Sequence, residues 1–217
     1  MVGIFDSGMG GAFALAELRK LCSDADVAFL ADRKNAPYGV KSRELLVDLA
    51  ERNIDVLRSY GAGEILIACC TASTVYTALS DRHRKGVIPI IDATAYAAVM
   101  TSENKRIGVL ATESTVRSGA FESAILRYCA RAQVTCRAAQ GLVSAIERGE
   151  ETDGMLADAL RRLGDVDTVI LGCTHFAAVE EKIKKEGFAA VNSARVGAEL
   201  LSKYVTRGGG ATLYINE

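Results

Sequence analysis

Tryptophan is absent from this 217-residue chain, proline and histidine occur twice each, and 26 Lys and Arg nearly cancel 27 Asp and Glu. A net charge of −1 supplies no basic field to attract phosphate backbones or an anionic bilayer, which excludes nucleic acid and membrane as main partners. No apolar run approaches the roughly 20 residues of a membrane span, and Asp6 interrupts the opening MVGIFDSG where a secretion signal needs its apolar stretch. The expected location is the cytoplasm. There the six cysteines are expected to be thiols; with no Cys-x-x-Cys pair and only His83 and His175 to join them, no metal site is expected.

What the chain does have is apolar mass, 49% of its residues, enough for one large α/β domain or two small lobes. Short β-branched runs alternate with longer segments of helical period, the pattern of parallel strands with crossover helices. Strands are predicted at 2–5, 27–31, 64–68, 87–91, 107–111, 134–138, 168–172 and 188–191. The clearest helix is predicted over 42–60, with Ser42 as N-cap and Gly61 as the terminating glycine.

The two halves repeat. Gly3 in VGIFDSG matches Gly108 in IGVLATES, and Cys69 in ILIACCTAS matches Cys173 in VILGCTHFA, at nearly constant offset. The expected fold class is therefore α/β, with two pseudo-symmetric lobes, each a four-stranded mainly parallel sheet flanked by helices, and a site in the cleft between them. The lobes are expected to comprise 1–93 plus 196–217, and 94–195. Ligands in such sheets bind beyond the carboxyl ends of the strands, which is where both Cys69 and Cys173 fall.

A cysteine that ends a strand and precedes a helix gains thiolate character from the helix N–H groups. Two such thiols on opposite faces of one tetrahedral carbon suit proton removal and return with inversion. His175 has the titration range to assist, and Asp6 ends the first strand, from which it is expected either to assist Cys69 or to cap the helix beginning near Gly11. Gly8, Gly10 and Gly11 fail the dinucleotide fingerprint, because Phe13 occupies its last glycine position and no Walker lysine follows; they are expected to allow close approach to a small anion. Cys22, Cys129 and Cys136 are expected to be packed thiols, His83 a solvated helix end, and RGGGATL a flexible connector into an edge strand.

Six ordered strings, FDSGMGG at 5–11, PYG at 37–39, ACCTAS at 68–73, TVRS at 115–118, IERG at 146–149 and LGCTH at 171–175, resemble the motif set of the glutamate racemase family, within the cofactor-independent aspartate/glutamate racemases. The resemblance implies an amino-acid racemase that interconverts L- and D-glutamate without pyridoxal phosphate or other cofactor, supplies D-glutamate for peptidoglycan, and forms a homodimer. It implies Cys69 and Cys173 as the acid/base pair, assisted by Asp6, Glu147 and His175. It further implies that Ser7, Pro37, Tyr38, Gly39, Cys70, Thr71, Thr115 and Thr174 hold the amino-acid substrate. The chain departs from the family pattern at Cys70, where Asn is usual, and at Phe121, Phe176-Ala177 and Asn192. Two alternatives stay open: a related racemase, isomerase or decarboxylase acting on another small dicarboxylate, and a non-catalytic protein that binds a small anion.

Overall fold

The computed structural model describes residues 1–216, so Glu217, the last residue of the expected final strand, lies outside the described residues. The first half runs β1 (Val2–Asp6), α1 (Gly11–Leu21), β2 (Val27–Ala31), α2 (Arg43–Ser59), β3 (Ile65–Ile67), α3 (Cys70–Ser73), α4 (Asp81–Arg84) and β4 (Val87–Pro89). Next come α5 (Ile90–Thr101), β5 (Arg106–Ala111), α6 (Glu113–Arg117), α7 (Ala120–Tyr128), β6 (Gln133–Ala138), α8 (Gln140–Arg148), α9 (Asp153–Arg161) and β7 (Thr168–Gly172). The chain closes with α10 (Glu180–Lys185), β8 (Ala189–Asn192), α11 (Ser193–Ser202) and β9 (Thr212–Asn216).

The helix predicted over 42–60 forms as α2, with the Ser42 hydroxyl accepting from Leu45 N and Gly61 at φ +86° beyond its end. The predicted strand at 87–91 stops at Pro89, which is the N-cap of α5 in extended backbone, so Ile90 and Ile91 become its first turn.

All strand pairings are parallel, in sheets ordered β4-β3-β1-β2-β9 and β6-β5-β7-β8. The repeat read from sequence is thus a repeat of topology, with β1 and β5 occupying equivalent places. Gly3 opposes Ile65 as Gly108 opposes Val169. A Cβ at either glycine would press on leucine and other apolar side chains (Leu57 and Ile65 against Leu163 and Val166), so both glycines let a following segment close onto the strand. The expectation of four strands per sheet needs one correction: β9 adds a fifth to the first sheet, beside β2. Its connector is pinned rather than loose, because Asp26 accepts from Gly209 N and Ala211 N while Asp24 O accepts from Gly208 N and Gly210 N.

The sheets share a core. Ile4, Val27, Phe29 and Leu66 of the first, and Val109, Ile170 and Val191 of the second, join one apolar cluster through α5 and α11. A Cβ on Gly197 of α11 would come within 2.8 Å of Ile90 Cδ1 and 3.0 Å of Leu66 Cδ2, so glycine lets that helix seat against the first sheet. The carboxyl ends of β1, β3 and β7 are consequently held at one seam between the sheets.

Candidate active site

At that seam β1 ends in Asp6, which is fully buried. Its Oδ1 accepts from Gly8 N at 2.9 Å and its Oδ2 from the Thr174 hydroxyl at 3.1 Å, so one carboxylate ties the loop after β1 to the turn after β7. Burial raises its pKa, opposed by nearby His175 and by its hydrogen bonds. Gly10 rather than Asp6 is the N-cap of α1 and makes no side-chain cap, but the Asp6 carboxylate still faces the helix start, where the Gly11 N–H helps hold it charged as Gly8 N does from the loop. A Cβ on Gly10 would sit 2.1 Å from Thr174 Oγ1 and 2.9 Å from His175 Nδ1. Of the three glycines expected to allow close approach, Gly10 makes it to the second half of the chain, Gly11 makes it to Asp6 and Phe29, and Gly8 has open space.

Cys69 follows β3 as the N-terminal residue bounding α3, and its Sγ donates to the Ser7 hydroxyl at 3.2 Å. Burial pushes its pKa up to about 11, with the Asp6 charge adding to the rise and the Ser7 contact opposing it. Cys173 follows β7 and enters a 3-10 turn, Thr174–Val179; its Sγ lies 3.6 Å from His175 Nδ1. Its pKa is raised well above the ordinary thiol value by burial, then by the charges of Cys70, Cys69 and Asp6. Both thiols are thus stored protonated. His175 Nε2 lies 3.0 Å from a carboxylate oxygen of Glu147, which projects from exposed positions of α8. A buried histidine therefore stands between the Cys173 sulfur and an exposed carboxylate, its Nε2 within ion-pair distance of Glu147 but making no hydrogen bond.

The remaining expected residues divide. Thr71, Thr112 and Thr115 form a buried triangle of hydroxyls with edges of 2.9, 3.1 and 2.9 Å, joining α3 to the start of α6 across the seam. Thr112, which also accepts from Thr115 N as the N-cap of α6, was missed by sequence reasoning although it follows β5 directly, three residues before Thr115. Gly39 closes against this triangle: a Cβ there would meet Gln140 Oε1 at 2.7 Å and Thr112 Cβ at 3.0 Å. Pro37 is exposed, but Tyr38 is only 1% exposed and turns inward to Asp32, away from the seam's rim. Cys70 also turns aside, donating to Ser193 Oγ at 3.5 Å within the shared core, and burial raises its pKa.

The other departures have physical settings. Phe121 is buried where a Cβ on Gly172 would touch it, and Phe176 is fully buried. Asn192 donates to the buried Glu180, which also accepts two hydrogen bonds from Arg195; Lys184 lies 2.8 Å away. Burial would raise the Glu180 pKa, but these partners hold it at about 2. An aspartate at 192 would oppose that charge. His83 is corrected: it is 1% exposed, with Nδ1 at 2.7 Å from Ser80 Oγ and 3.1 Å from Glu51, and Nε2 at 3.0 Å from Asp55, so it pins α4 to α2. Cys22, Cys129 and Cys136 are half-buried free thiols.

The site is enclosed rather than an open cleft, with Cys69 at 6%, Cys173 at 8% and His175 at 6% exposure. A cavity of about 970 Å³ opens on the far flank of the threonine triangle, bordered by Lys41, Thr74, Asp92, Ser114, Arg117 and Arg127, and neither thiol lines it. Among the described residues no group of three or more His, Cys, Asp or Glu could hold a metal, and no helix is long and apolar enough to cross a membrane.

The Asp/Glu/Hydantoin racemase family model matches residues 16–201. Glutamate racemase of Aquifex aeolicus is 34% identical over 98% of this chain and 86% of its own length, and that of Desulforudis audaxviator 38% identical over 85% of this chain and 70% of its own. A solved structure of Escherichia coli glutamate racemase with L-glutamate and the activator UDP-MurNAc-Ala superposes with a TM-score of 0.80 at 28% identity, covering 99% of this chain and 88% of that one. With two parallel sheets meeting at paired strand-end cysteines, and relatives of this similarity along nearly its whole length, the chain belongs to the Asp/Glu/Hydantoin racemase family, among its glutamate racemases.

Proposed function

We propose that the chain interconverts L- and D-glutamate, with Cys69 and Cys173 exchanging protons at the α-carbon from opposite faces. The observation that carries this reading is the chain of contacts at the seam, from Cys69 through Ser7 and the adjoining Asp6 to Thr174 and the adjoining Cys173 and His175. Substrate binding begins with both thiols protonated. One gives its proton to the adjoining group, His175 for Cys173 or Asp6 for Cys69, takes the α-proton as thiolate, and the opposite thiol delivers a proton to the other face, leaving its own sulfur as thiolate. Proton return through His175 and Glu147 on one side, and Asp6 on the other, resets the pair. His175 and Glu147 form a route from buried sulfur to solvent, whereas Asp6 is enclosed.

Ser7, Gly39, Thr71, Thr115 and Thr174 supply hydroxyl and backbone groups for the substrate's carboxylates and ammonium, and the threonine triangle exchanges its internal bonds for bonds to a carboxylate. Because the site is enclosed, the two lobes open to admit the substrate; the expected boundaries at 93/94 and 195/196 fall inside α5 and α11, the helices through which the sheets share a core. The reading places the enzyme in the cytoplasm as a homodimer that supplies D-glutamate for peptidoglycan, and it requires no cofactor. Its test is incubation of L-glutamate in deuterium oxide. Formation of D-glutamate with α-deuteration is expected, and absence of both, beside an active control enzyme, overturns the assignment. Because racemisation has an equilibrium constant of unity, kcat/KM must be equal in the two directions at every pH. It should climb as pH rises above neutrality, since each raised thiol must ionise before it can act as base.

A further inference from the structure

Asp32 follows β2 beside Asp6, to whose carbonyl its N–H donates at 3.0 Å, and it is as deeply buried as Asp6. No motif of the chain drew attention to it, yet its carboxylate is enclosed by polar partners. Oδ2 accepts from the Tyr38 hydroxyl at 2.5 Å and from Asn53 Nδ2 at 3.2 Å; Oδ1 accepts from Asn35 Nδ2 at 2.8 Å and lies 3.5 Å from Arg52 Nη2. Asn53 Nδ2 also donates to the Tyr38 oxygen at 3.0 Å, leaving Asn53 Oδ1 buried without a partner, so its amide is committed to this cluster. Burial alone would raise the Asp32 pKa, but these bonds outweigh it and hold the group charged. The Tyr38 phenol, shifted far up by burial and by Asp32, is held as a donor to that carboxylate.

The cluster grips both ends of the segment that reaches the seam. Asn35 lies near its start, and Tyr38 opens the 3-10 turn Tyr38–Val40 that presents Gly39 to Thr112 and Gln140. The Tyr38 ring packs edge-on against Phe5, the residue before Asp6, with centroids 6.2 Å apart. The spacing between the Gly39 turn and the Asp6–Ser7 loop is thereby set by one buried carboxylate.

We propose that Asp32, with Asn53, is a positioning residue of the racemase site, acting through the Tyr38 hydroxyl to fix the Gly39 turn against the threonine triangle. This rests on the glutamate racemase reading for its kinetic test but not for its structural one. A turn that holds the substrate equally in ground and transition states affects KM more than kcat. Tyr38→Phe keeps the ring on Phe5 and removes only the hydroxyl, so its KM for both enantiomers is expected to rise about tenfold with kcat changed less than threefold. The α-deuterium kinetic isotope effect should stay that of the parent. Asp32→Asn should act in the same sense and more strongly. Hydrogen exchange of the 33–42 amides, read whether or not the protein turns over, should quicken at least about fivefold in Tyr38→Phe while α2 is unchanged. Parent turnover with Tyr38→Phe KM values within twofold of parent, or unaltered exchange in that segment, overturns the proposal. Parent inactivity with the expected exchange overturns the racemase reading and leaves the positioning role standing.

Discussion

The two strand-end cysteines occupy matching places in a duplicated topology, yet their surroundings differ. Cys69 bounds a helix at φ −64°, ψ 113° and meets a hydroxyl, Ser7, with Asp6 behind it. Cys173 is extended at φ −147°, ψ 137° before a 3-10 turn, meets an imidazole, and through it a carboxylate at the surface. Equal topology therefore does not make equal acids. The site pairs a thiol backed by an enclosed carboxylate with a thiol backed by a titratable route to solvent.

The strongest way to break this comparison is to remove each sulfur. Cys69→Ser and Cys173→Ser should each lower racemisation by about a thousandfold or more, measured by circular dichroism of glutamate, because a serine hydroxyl is a far weaker acid and general acid–base catalysis contributes on this scale. Wild-type turnover in either variant would remove that cysteine from the proposed pair.

The next largest effect separates the two environments. His175→Asn should cost about a hundredfold in kcat, and Ser7→Ala about tenfold or less, since one removes a proton carrier and the other a single hydrogen bond to sulfur. Equal losses would mean that the asymmetry around the sulfurs has no catalytic weight.

The smallest effect concerns Glu180, which begins α10 directly after the turn that follows Cys173. Glu180 titrates at about 2 rather than 4.5, so the stability it adds is present above pH 4.5 and is lost as pH falls toward 2. Glu180→Gln should lose up to about 3 kcal/mol at neutral pH, read from urea midpoints, and the two proteins should converge through that acid window. A constant difference down to pH 2 would show that the charge is not what stabilises the turn.

Particular residues show how far the chain could be read without coordinates. Helix α2 announced itself through Ser42, its apolar stripe and Gly61, all local features that the fold leaves intact. The repeat was readable because glycine and cysteine recur where a strand must be closely packed or must present a side chain at its end. Thr112 and Gln140 were not readable, since Thr71 and Gly39, which they meet, are distant in sequence; Asp32 has near partners in Asn35 and Tyr38, but only the fold adds Asn53 and buries the group. His83 read as solvated from its charged neighbours, but the same neighbourhood on α2 supplies the carboxylates that bury it.

Strand periodicity, glycine placement and the duplicated cysteine strings determined the α/β lobes and which side chains stand at strand ends, because backbone sterics and alternating burial act over a few residues. Tertiary structure alone decided the partners of those side chains. The rise in thiol pKa, the pairing of Asn192 with Glu180 and the inward turn of Tyr38 all depend on which groups share a dry interior, and only tertiary packing, within each half and between them, sets that.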